Sequence, residues 1–102
     1  MNYVKIKVKK MGTSADLQLW EDHMQEKPKC WNKFCLGIHG EDELRAVHVT
    51  KEGDEDNTYL TVLCKDCIED TSDNGILVNE NHLILDSSLN NFESDFWLIS
   101  RL

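Results

Sequence analysis

Four cysteines in two close pairs constrain this chain more than any other feature. Cys30 and Cys35 are spaced C-x4-C, Cys64 and Cys67 are spaced C-x2-C, and 28 residues separate the pairs. A redox dithiol would use one C-x-x-C between a strand and a long helix. Here the segment after Cys67 has room for one or two helical turns before Asp73-Asn74-Gly75, and a redox reading leaves the other pair unexplained. A disulfide framework needs an oxidising compartment. The N-terminus, MNYVKIKVKK, places lysines where an export signal would need an unbroken apolar stretch. No apolar run approaches the ~20 residues that span a bilayer. The expected location is therefore cytoplasmic, with reduced thiols and no membrane partner.

Four thiolates in two pairs match what tetrahedral zinc requires, because each tight turn presents two sulfurs and the loop between turns can be long. Soft sulfur selects zinc or an iron–sulfur centre over magnesium or calcium, and the tighter cysteine runs of cluster ferredoxins are missing. One structural Zn2+ held by Cys30, Cys35, Cys64 and Cys67 is the expected site. His39, four residues past Cys35, is the histidine placed to replace a sulfur. His23 and His82 read as solvent or packing residues.

Length and composition describe one soluble domain over residues 1–102: 40% hydrophobic and 29% charged residues suffice for a single modest core. Nineteen acids against eleven bases give a formal charge of −8. That balance makes nucleic acid an unfavourable direct ligand, since its affinity rests on phosphate neutralisation.

Along the chain, Tyr3–Lys10 alternates Val4, Ile6 and Val8 with Lys5, Lys7 and Lys9, a strand with one wet face. Lysines there are expected to guard a sheet edge against mispairing, with a phosphate-contacting stripe as the alternative. Thr13 or Ser14 can cap a helix over roughly 14–26, with Asp16 placed to complete a capping box from Thr13; Pro28 closes the segment, and Leu17, Trp20 and Met24 lie on its packing stripe. Residues 45–50 and 58–63 read as a hairpin joined by a long acidic tip, KEGDEDN. A short helix over 65–71 and strands at 76–78 and 83–86 follow; in the tail Phe92, Phe96 and Ile99 suit a helix while FWLI suits a buried strand, and the strand is the reading preferred. The predicted class is α+β with a small sheet.

The stretch "PKCWNKFC … RAVHV … YLTVLCKDC" resembles the zinc-stabilised treble-clef core of HNH-type proteins. The resemblance covers about residues 28–70: a cysteine turn, a histidine-bearing strand, a hairpin, then C-x-x-C opening a helix. Small bacterial zinc proteins of unassigned function look similar across the flanks as well, at Leu19-Trp20-Glu21-Asp22-His23 and Leu77-Val78-Asn79-Glu80-Asn81. A bacterial or phage origin is what this implies. In an HNH nuclease the strand histidine activates water, a loop asparagine orients it, and a helix residue holds a divalent ion. By position His48 matches the first role and Asn57 could match the second. Nothing matches the third: Ile68 follows the C-x-x-C, and Asp70 or Asp73 would sit on a very short helix.

The expected function is that of a small non-catalytic zinc protein acting by binding another protein. His48 is then a satisfied residue bonded to backbone or to a cysteine-bearing loop. A weak HNH-type nuclease and an acidic inhibitor of a nucleic-acid-handling protein are the alternatives.

Overall fold

The computed structural model describes residues 2–35, 40–69 and 76–86. His39, Asp70, Asp73, the end of the predicted second helix and the predicted tail strand lie outside the described residues. The fold is α+β. Among the described residues, five strands form an antiparallel sheet in the order β4-β1-β2-β3-β5, and two helices accompany it.

Strand β1 (Tyr3–Met11) keeps the expected alternation, with Ile6 buried and Lys5, Lys7 and Lys9 exposed. It is not an edge strand. Tyr3–Ile6 pair with β4 (Ile76–Asn79), while Ile6–Met11 pair with β2 (Leu44–Lys51). The edge expectation failed because period two reports which face is wet, not how many neighbours the strand has. A register shift between Val8 and Lys10 interrupts the ladder, which resumes with Lys10 opposite His48 and Met11 opposite Val47.

Gly12 then brings the chain against β2, its N–H donating to the Ala46 carbonyl at 2.8 Å. A Cβ there would lie 2.9 Å from both the Ala46 oxygen and Asp16 Oδ2, so the approach requires glycine. Helix α1 (Ser14–Met24) starts with the predicted capping box. The Asp16 N–H donates to Thr13 Oγ1 at 3.2 Å, and the Thr13 N–H donates to Asp16 Oδ2 at 2.8 Å. The helix ends before Pro28 is reached, because Gln25 adopts a left-handed conformation (φ 52°) and its N–H closes on the Glu21 carbonyl.

The hairpin is tighter than its acidic tip suggests. Strand β3 (Asp54–Cys64) takes up most of the expected loop, leaving Glu52-Gly53 as a two-residue turn with Gly53 at φ 88°. Asp54 supplies the compensation for poor strand formers. It accepts from Asn57 Nδ2 at 2.9 Å and from the Tyr59 hydroxyl at 2.6 Å. The Tyr59 and Asn57 hydrogen bonds hold the Asp54 carboxyl below its ordinary pKa. Helix α2 (Lys65–Glu69) follows β3 directly, and β5 (Ile84–Leu85) pairs with Tyr59 and Leu60.

Apolar clusters occupy both faces of the sheet. On one face α1 buries Trp20 completely against Leu44, Ala46, Leu60, Val62 and Ile84. On the other lie Ile6, Val47, Val49, Leu63, Ile76 and Val78. Cys30, Trp31 and Cys67 touch both clusters.

Candidate metal centre

The two cysteine pairs reach one point by different routes. Cys64 is the last residue of β3, buried opposite Leu44, and α2 carries Cys67 back beneath it. Cys30 and Cys35 sit on a turn tied to both sides of the sheet. The Trp31 N–H donates to the Val62 carbonyl on β3 at 3.1 Å, and the Lys33 N–H donates to the Leu77 carbonyl on β4 at 2.8 Å. Between them, Asn32 forms an isolated bridge with Val78. Residues 31–33 therefore span from β3 to β4, and the sheet closes on itself where the sulfurs meet.

All four sulfurs lie within 4.8 Å of one another. Cys30 Sγ is 3.6 Å from Cys67 Sγ, and Cys35 Sγ is 3.9 Å from Cys64 Sγ. A tetrahedron with Zn–S arms of about 2.3 Å has edges of about 3.8 Å. A bonded disulfide would bring two sulfurs to about 2.05 Å, and all four cysteines are free. An iron–sulfur cluster interposes several atoms between its ligands, which this spacing is too narrow to hold. The clustered cysteines fit one metal ion such as zinc.

The electrostatics agree. Burial pushes the Cys30 thiol above its ordinary range, against the lowering effect of N–H groups from Cys64 and Asn32, and the neighbouring Cys67 adds to the rise. Burial likewise pushes Cys67 up to about 11. Left to themselves, crowded thiols stay protonated; a bound dication inverts that preference and makes them thiolates.

Two groups around the sulfurs escape the sequence reading. Asn32 Nδ2 donates to Cys67 Sγ at 3.3 Å, while its Oδ1 accepts the Phe34 N–H at 3.2 Å. An asparagine between two paired cysteines is a turn signal that could have flagged it. Trp31 stacks on His82, with ring centroids 3.5 Å apart and planes at 16°, and lies 5.7 Å from Trp20. His82 is thus a packing residue, its pKa lowered by burial. His23 is exposed on α1.

His48 lies elsewhere. It stands opposite Leu60, four residues along β2 from the Leu44–Cys64 pair, or roughly 13 Å at the usual rise per residue. Its Nδ1 is 3.0 Å from Asp86 Oδ2 and its Nε2 is 3.3 Å from Asp16 Oδ2. The expected partners, backbone or a cysteine-bearing loop, are replaced by two carboxylates from segments remote in sequence. These occupy opposite ring nitrogens, so they and the ring do not converge on a common point. Asn57 is held at the hairpin tip by Asp54, and the structure does not bring it to His48.

Compared with known protein families, curated proteins and solved structures, the chain matches none of them.

Proposed function

We propose that this is a small zinc protein in which Cys30, Cys35, Cys64 and Cys67 hold one structural ion and which acts by binding another protein. The single observation carrying the reading is the four-sulfur constellation, in which separations of 3.6 and 3.9 Å suit a tetrahedral thiolate site. The bound ion would supply positive charge and four directed bonds where the sheet closes. The arrangement of cysteine turn, hairpin and C-x-x-C opening a helix supports a treble-clef-like core.

A non-catalytic role is the reading that His48 supports. Activating water needs a free ring nitrogen beside the substrate and an ion across from it. Here Nε2 faces Asp16, Nδ1 faces Asp86, and Asn57 is committed to Asp54. The net charge of −8 would also repel a polyphosphate. A partner protein in the cytoplasm is the proposed setting, and reduced thiols suit it.

The test is elemental analysis of purified protein combined with melting before and after chelation. About one zinc per chain, and a melting transition lost on chelation, are expected. Metal-free protein with an unchanged melting curve overturns the reading. Incubating the protein with DNA and RNA in magnesium, manganese or nickel should give no cleavage; nicking that disappears in folded His48→Ala would make it a nuclease.

A further inference from the structure

Asn32 does two things at once. Its backbone bridges Val78 on β4, and its side chain reaches the sulfur of Cys67 on α2, which belongs to the other cysteine pair. The amide's orientation is set by its surroundings. Nδ2 faces Cys67 Sγ at 3.3 Å and Oδ1 faces the Phe34 N–H at 3.2 Å, so a flipped amide would set oxygen against sulfur and donor against donor. The turn is further fixed by the Cys35 N–H, which donates to the Asn32 carbonyl at 3.0 Å. The amide is thus pre-aimed at one thiolate by bonds that do not depend on that thiolate.

We infer that Asn32 is a positioning residue of the metal centre: its Nδ2–H donates to the Cys67 thiolate, holds that sulfur for the ion and quenches its reactivity toward electrophiles. The inference rests on the zinc reading above. A hydrogen bond to a metal-bound thiolate withdraws electron density from sulfur, which weakens it as a nucleophile while its orientation is kept. Outer contacts of this kind change metal affinity by about 10–100-fold when removed. Cys67 is partly buried, as are Cys30 and Cys35, whereas Cys64 is almost wholly buried, so the Asn32 bond falls on one of the sulfurs that a reagent can approach.

Two substitutions separate the side chain's two bonds. Asn32→Asp keeps an acceptor for the Phe34 N–H, removes the donor and sets a carboxylate against the thiolate. Asn32→Ala removes both bonds. If the bond to sulfur is what counts, both variants release metal to a chelator at least about tenfold faster than wild type, with Asp the faster. Alkylation of Cys67 in the metal-loaded protein should accelerate in the same order. In cobalt-substituted protein the sulfur-to-metal charge-transfer band should move to lower energy, a change that loosened packing alone does not produce. Asn32→Asp matching wild type in release rate and band position overturns the inference. A second measurement needs no variant: with an NMR-active cadmium isotope bound to wild type, the Asn32 amide protons should show scalar coupling to the metal through Cys67. Its absence also overturns the inference. If wild type binds cobalt without tetrahedral thiolate bands, the zinc reading itself falls, and the two failures remain distinct.

Discussion

At one end of the β2–β3 ladder, where Leu44 faces Cys64, four sulfurs crowd together. Toward the other end, where His48 faces Leu60, an imidazole lies between two carboxylates. Both clusters tie elements together that are far apart in sequence, and they do so by opposite means. The thiols are neutral when protonated and mutually repelling when not, so as thiolates they need a cation from outside to stay together. The Asp16–His48–Asp86 group can supply its own. Each ring nitrogen of His48 faces a carboxylate, at 3.0 Å (Asp86) and 3.3 Å (Asp16), so the chain itself provides both sides of these contacts. The comparison teaches that remote elements can be joined in two ways: on the zinc reading proposed above, one cluster waits for an added ion, while the other is assembled from the chain's own charged and polar groups.

The largest expected effect tests the first half of that contrast. Cys64→Ser should mimic chelation, since apparent zinc binding energies of about 10–16 kcal/mol in small zinc domains equal or exceed the whole stability of a typical domain. Circular dichroism at growth temperature should show the fold lost, and a variant that melts like wild type breaks the comparison.

Next comes Trp20, on the helix that also carries Asp16. Trp20 is fully buried, touches Trp31 beside the sulfurs and donates Nε1–H to the His82 carbonyl at 3.2 Å. Trp20→Ala should cost about 3–5 kcal/mol by denaturant unfolding, with zinc content still near one per chain.

His48→Ala should cost less, about 1–3 kcal/mol, by leaving Asp16 and Asp86 without their shared partner. His48 stands four residues along β2 from the Leu44–Cys64 pair, roughly 13 Å, and among the described residues shares no side-chain hydrogen-bond partner with Asn32, so the effect should add to that of Asn32→Ala within ~0.5 kcal/mol. A clearly larger interaction energy would mean that the two clusters are not independent.

The smallest effect is in acid. Burial works against the charge on Asp16, but the Thr13 N–H and the His48 ring outweigh it and hold the carboxyl below its ordinary value of 3.8. A carboxylate with a depressed folded pKa adds stability above its unfolded pKa, and loses it as pH falls through the folded value. Asp16→Asn should therefore flatten part of the stability loss below about pH 4 and leave chelator sensitivity unchanged. An identical acid profile would remove Asp16 from the second cluster.

How much of this was legible beforehand follows from how far each interaction reaches along the chain. The Thr13–Asp16 capping box spans three residues and was readable as written. The cysteine spacing pointed to one site because each pair is a local turn. The tip of the hairpin misled, since Asp54, Glu55, Asp56 and Asn57 are poor strand formers by propensity. Their stabilisation comes from Asp54 reaching Asn57 and Tyr59, a detail of geometry rather than of composition. The partners of His48 lie 32 and 38 residues away. No local pattern announces them. Nor does one announce that residues 31–33 link β3 to β4.

That link has a consequence for how the protein is made. Chains emerge from the N-terminus, and domains begin to assemble during synthesis. All four thiols have been synthesised once Cys67 has, whereas Leu77 and Val78, the β4 partners of the cysteine turn, come later. β1 also waits for β4 along Tyr3–Ile6. An ion captured by the nascent chain would thus fix Asn32 and Lys33 as a template before the strand that docks on them exists.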